Sequence, residues 1–236
     1  MIVHPGELET DDDAVEILLQ EDLPRTVATV VRSSWCANLA ESLSHRIARQ
    51  LVQARFADLN HASTRLLAEY VLSLVAHSII VVDRDVWIRF VCPQHADCLM
   101  GGSLYVGPPL SEDEFKTVRT TYGLAGESEL AEFIRTTFGC SEYFRGVGMF
   151  CPDVVLGSER FRQLLESVGQ SNWQNSIQLF NTLSGEMVAY QSERGVARIR
   201  ISTGEAISCA ENLLQFTELF VDANSQGRCL DWGDLP

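Results

Sequence analysis

The chain has 236 residues, enough for one or two domains with a full core, and its 46% hydrophobic and 21% charged content is that of a globular protein. Asp plus Glu number 32 against 18 for Lys plus Arg, a formal net charge of -14. Such a surface repels nucleic-acid phosphates and attracts basic partners, so nucleic-acid binding is excluded first.

Seven cysteines without regular spacing, and an opening that includes His4, Pro5 and the run Asp11 to Asp13, carry no secretory signal, so free thiols in a reducing cytoplasm are expected. Ala14 to Leu19 reads as a short helix or an irregular arm, and Val27 to Val31 as a short strand. Ser34 is placed to cap a long helix reaching about Phe56, because Trp35, Leu39, Leu43, Ile47 and Leu51 recur every four residues. A second helix is predicted from about Ser63 to His77. Ile79 to Val82 and Val86 to Val91 then flank Asp83-Arg84-Asp85 as a hairpin. The apolar reach from Leu66 to Val82 contains Glu69 and His77 and is too short and too polar to span a bilayer.

Gly101, Gly102, Gly107, Pro108 and Pro109 mark a candidate linker. After it, Ser111 and Glu114 form a capping box, with Leu110 and Phe115 as its hydrophobic staple, and that helix ends near Tyr122-Gly123. Ser128 starts another helix lined by Leu130, Phe133, Ile134 and Phe138, with Gly139 as its left-handed stop. Ser158 opens a third, with Phe161, Leu164, Leu165 and Val168 inward and Gly169 as stop. Trp173 leads into a meander of four strands: Ile177 to Phe180, Met187 to Tyr190, Val196 to Ile201 and Ala206 to Ala210. In the third of these, Ala197, Ile199 and Ile201 point to a core while Arg198 and Arg200 point to water, where Glu186, Glu193 and Glu205 in adjoining turns offer ion pairs. Asn212 caps a closing helix in which Leu213, Phe216, Leu219 and Phe220 share a face that can cover the sheet.

The run Leu130 to Gly139, a helix entering a Phe-Gly turn, resembles a segment of the SUKH superfamily, known for immunity proteins of bacterial toxin systems. Trp173 stands where that family often has a tryptophan before its central strands, Gly185-Glu186 where it often has Gly-Asp, and Asn212 to Phe220 is similar to its closing helix. The likeness covers about Leu110 to Val221; it departs at Glu186, where the family more often has aspartate, and nothing before Leu110 has a counterpart. It implies an α+β fold with a mixed or antiparallel sheet and helices on one face. Residues 109–236 would form that SUKH-like domain, preceded by a mainly helical segment with a β-hairpin over residues 1–108. It further implies a non-enzymatic, cytoplasmic protein that binds and neutralises a toxin of nuclease or deaminase type, a partner whose basic groove suits an acidic surface. Glu186, Glu193 and Trp173 are the candidate partner-binding residues.

Other constellations are set against plainer readings. Cys92, His95 and Cys98 lie close in sequence, but zinc needs a fourth ligand from afar, such as Cys140 or Cys151, so no metal or other cofactor is expected. Cys36 and Cys209 read as core, with no adjacent histidine to make a nucleophile pair, and no catalytic residue is assigned. His45 reads as surface and His77 as the end of a helix. Gly101-Gly102, and Gly146 with Gly148, lack the frame of a phosphate cradle. Tyr143, Phe144, Met149 and Phe150 form an apolar lid or a docking patch. Two further functions stay open: an intracellular scaffold or regulatory module for a peptide or protein, and a small enzyme dependent on a cysteine, an acid pair or a metal.

Overall fold

The computed structural model describes residues 15–18, 45–82, 85–92, 103–124, 128–138, 140–141, 158–173, 176–181 and 186–226. The expected strand at Val27 to Val31, the first part of the long helix, Gly139, the cysteines at 36 and 151, His95, Cys98 and the apolar loop from Tyr143 to Phe150 lie outside these residues.

Two antiparallel sheets and six helices form an α+β architecture among the described residues. The first sheet runs in chain order through β1 (Val15–Leu18), β2 (Val75–Val82), β3 (Asp85–Val91), β4 (Ser103–Val106) and β5 (Cys140–Ser141). The β2–β3 hairpin stands where expected, with a register shift between Ala76 and Ser78 that leaves His77 at a bulge. Three expectations are corrected here. Val15 to Leu18 is a strand on β2 rather than a short helix. Ser103 to Val106, inside the candidate linker, pairs with β3. The second helix ends at Ser73, and His77 belongs to β2, because the β-branched run beyond Leu74 prefers a pleated surface.

Six helices are described: α1 (His45–Arg55), α2 (Ala62–Ser73), α3 (Glu112–Tyr122), α4 (Glu129–Thr137), α5 (Ser158–Ser167) and α6 (Leu213–Ser225); the last four start at the signals expected for them. Ser111 and Glu114 form the full capping box, and Gly123 ends α3 at φ 61°. Leu110 and Phe115, the expected staple, are both buried in the main core. Ser128 accepts from the Ala131 amide at 3.3 Å, and Asn212 from the Gln215 amide at 2.9 Å. Gln215 in turn accepts from Glu211 N at 2.6 Å, closing the start of α6.

The second sheet is the expected meander: β6 (Ile177–Asn181), β7 (Glu186–Gln191), β8 (Gly195–Arg200) and β9 (Ala206–Ala210). Both of its faces are covered, and this corrects the expected water face. Met187, Ala189, Ala197 and Ile199 pack with Leu165 of α5 and with Trp173. Val188, Val196 and Ala210 pack with Leu213, Phe216 and Phe220 of α6. The closing helix therefore lies on the face that carries Arg198, and α5 with the 3-10 turn at Ser171–Trp173 covers the Ala197/Ile199 face.

The main core is continuous across the boundary drawn after residue 108. It joins Val52 of α1, Leu67 and Val71 of α2, Ile79, Ile88 and Leu104 of the first sheet, Phe133 of α4 and Phe216 of α6. Tyr70 of α2 meets Phe220 of α6 edge to face, with ring centroids 6.4 Å apart. β4 pairs with β5. Arg55 of α1 donates to the carbonyls of Gly107 and Phe138 and, at 3.3 Å, to that of Thr136. A guanidinium that donates to three carbonyls, with its Nε left unpartnered, ties α1, the β4–α3 connection and the end of α4 into one packing unit.

Candidate functional site

Of the three residues singled out for partner binding, the fold exposes one. Glu193 sits in the exposed β7–β8 turn, where Gly195 takes φ 78°. Trp173 is only 7% exposed, inside the second core cluster, with the Arg194 guanidinium 6.0 Å from its ring centroid. Glu186 is only 5% exposed, and its carboxylate lies 3.6 Å from Arg198 and 3.4 Å from Arg200. Arg200 reaches on to Glu205 at 2.9 Å. The expected cross-strand ion pairing is present, but Glu186 and Arg198 carry it beneath α6 rather than in water. Cys209 lies half-buried against the main core, as expected.

The concave feature these elements build is a cleft of about 830 Å³ where the α3–α4 corner meets the end of the β6–β7 hairpin. Its volume is in the range of ligand sites. Gly123 turns the chain out of α3, which leaves Tyr122 on one wall. Ser128 caps α4 and so places Glu129 at the first helical position, on the same wall. The opposite wall carries Ser176, Tyr190 and Gln191, and Arg162 of α5 also lines the space. The Trp173 turn positions Ser176, whose amide donates to the Trp173 carbonyl at 2.9 Å.

Two carboxylates of α4 anchor this wall to the start of α2. Ser63 Oγ donates to Glu129 Oε1 at 2.8 Å. Glu132, one turn further along, accepts the amides of Asn60 at 2.9 and 3.0 Å and of His61 at 2.9 Å, together with the Thr64 hydroxyl. His61 Nδ1 lies 3.1 Å from Glu132 Oε2. Burial pushes the Glu132 carboxyl up, but these hydrogen bonds outweigh it and hold the group at about 2. A side chain from α4 thus anchors the backbone that leads into α2, whose own cap residue, His61, makes no side-chain cap.

Burial pushes the Tyr122 phenol up to about 12. The Tyr190 phenol is raised by burial and then by the negative field of Glu129. Both rings therefore keep their hydroxyl protons at neutral pH and can donate as well as accept. The side-chain oxygen of Gln191 is buried with no hydrogen-bond donor to it. Tyr122, Glu129 and Tyr190 line the cleft, and the unmatched Gln191 oxygen is closed off from solvent beside it.

Sequence reasoning passed over Tyr122, Glu129, Tyr190 and Gln191. The one local signal was the Ser128 cap, which fixes Glu129 at the head of α4; the others gain meaning only from the fold. Cys92 is buried at the end of β3. Among the described residues no helix is long and apolar enough to cross a membrane, and no group of three or more His, Cys, Asp or Glu could hold a metal ion. Neither a family model, nor a curated protein, nor a solved structure matches the chain.

Proposed function

We propose that the chain is a non-enzymatic, cytoplasmic protein-binding module of SUKH type that masks the basic active-site groove of a toxin of nuclease or deaminase class. The observation that carries this reading is the acidic excess, a net charge of -14. Exposed carboxylates at Glu193 and Glu205 on the meander turns and at Glu112 and Asp113 on α3 belong to that excess. Acidic surface set on a rigid sheet-and-helix platform steers a basic groove into contact and speeds association. The order of elements from α3 to α6, with helices, a tryptophan turn, a four-stranded meander and a closing helix, supports the SUKH likeness.

The test is a pull-down with the toxin encoded by the neighbouring gene, together with growth of cells that express it. Retention of the toxin and protection of the cells are expected; failure of both removes the proposal. The polar cleft favours a second reading, a scaffold that holds a peptide without a toxin, and the identity of the neighbouring gene separates the two.

A further inference from the structure

We propose that the free edge of β9 receives an extended segment of a partner protein that carries a basic residue at each end; this rests on the protein-binding reading above and names its surface. The second sheet has two edge strands, β6 and β9. Ile177, Gln178 and Leu179 of β6 are all buried. In β9, Ser208 is exposed and Ala206, Ile207 and Cys209 are half-buried. Among the described residues no strand pairs with the outer side of β9. Every second residue of an antiparallel strand turns its N–H and C=O away from its neighbour, so β9 offers backbone groups to an incoming strand. Proline and charge, two common guards of such an edge, are absent from Ala206 to Ala210. The register shift that skips Cys209 bends the strand and confines a new ladder to the stretch before it.

The edge is also held in place. Gly204 leads into β9 with its α-carbon against the Val168 carbonyl oxygen, and Ala210 ends it with its own carbonyl oxygen against Gly195; neither contact leaves room for a Cβ. A strand clamped at both ends loses little freedom when another pairs with it. Glu205 and Glu211 flank the strand, and both are exposed. Glu205 holds Arg200 at 2.9 Å, while Glu211 has no cation in ion-pairing distance among the described residues. These carboxylates decide the occupant. A second copy, pairing antiparallel about the exposed Ser208, would set Glu205 of one chain opposite Glu211 of the other, and like charges directly opposite destabilise a ladder. A foreign strand with a basic residue at each end meets both carboxylates favourably.

The test uses the full chain, labelled with nitrogen-15, and the synthetic peptide acetyl-Arg-Val-Thr-Val-Thr-Arg-amide. Chemical-shift changes are expected from Ile207 to Cys209, with a Kd of about a millimolar, and the β9 amide that exchanges fast in the free chain should become protected. The same peptide N-methylated at its central residues keeps the charges but cannot form the ladder, and should protect nothing. The peptide with Glu in place of each Arg should bind at least about tenfold more weakly. Equal effects of either control and the parent peptide, or no change in β9 with the parent, would overturn the proposal. Ser208→Lys puts a charge on the open edge and should abolish peptide binding with the urea midpoint unchanged. Glu211→Gln should weaken it about threefold. Undiminished binding by both variants would also overturn it. If a toxin is retained equally by Ser208→Lys and the native chain, the edge proposal falls and the toxin reading stands. If the peptide protects β9 while no toxin is retained, the edge proposal stands and the toxin reading falls.

Discussion

Replacing Glu132 by glutamine should cost the protein about 3 kcal/mol at neutral pH. The carboxyl lies at about 2 in the folded chain, against an ordinary 4.5. At about 1.4 kcal/mol for each unit of difference, the ionised form contributes about 3 kcal/mol. Glutamine keeps one acceptor oxygen but turns an amide towards the Asn60 and His61 N–H groups, which the carboxylate now satisfies. The sign follows from a depressed pKa. The contribution is complete above the unfolded value near 4.5 and is lost as pH falls towards 2. Between pH 7 and pH 3 the gap between the native and Glu132→Gln proteins should therefore narrow by about 2 kcal/mol. Urea unfolding at the two pH values measures this, and amide hydrogen exchange at Asn60 and His61 locates it. A variant as stable as the native chain at pH 7, or a gap that does not change with pH, would refute the role given to Glu132 in anchoring the start of α2.

Three further outcomes follow from the second sheet and the helix that closes it. Gly195→Ala should lose about 2 kcal/mol or more, because φ is 78° and a Cβ would lie 2.2 Å from the Ala210 carbonyl oxygen, a backbone atom that cannot yield; the urea midpoint reads this. Asn212→Ala should cost about 1 kcal/mol by the same assay, through loss of the cap on α6. Glu186→Arg and Glu193→Arg should part company. The first sets a third guanidinium against Arg198 and Arg200 under α6 and should lower stability by about 3 kcal/mol or more, read as a fall in Tm. The second should leave the Tm unchanged but slow toxin association and flatten its salt dependence.

Much of the fold was legible from local chemistry. The meander shows because its strands are separated by turns whose glycines, Gly195 and Gly204, take positive φ. Helix starts at Ser111, Ser128 and Asn212 show because a cap needs only the next three residues. Alternation misled at β8, since Arg198 breaks an apolar run in a strand buried on both faces; its charge is met inside by Glu186. β4 was hidden because four residues, Ser103 to Val106, sit between glycines and prolines that read as linker. β5 is two residues long and exists only through its pairing with β4. The cleft was not legible, since residues 122, 129, 162 and 190 come from four separate elements and only packing brings them together.

The central claim is an acidic protein that blocks a basic toxin. It is tested most directly by titrating the purified toxin's activity with this chain at low and at high salt. Inhibition should be complete at one chain per toxin, with an association rate that falls steeply as salt rises. Full toxin activity in the presence of excess chain, or inhibition with an association rate indifferent to salt, would contradict it.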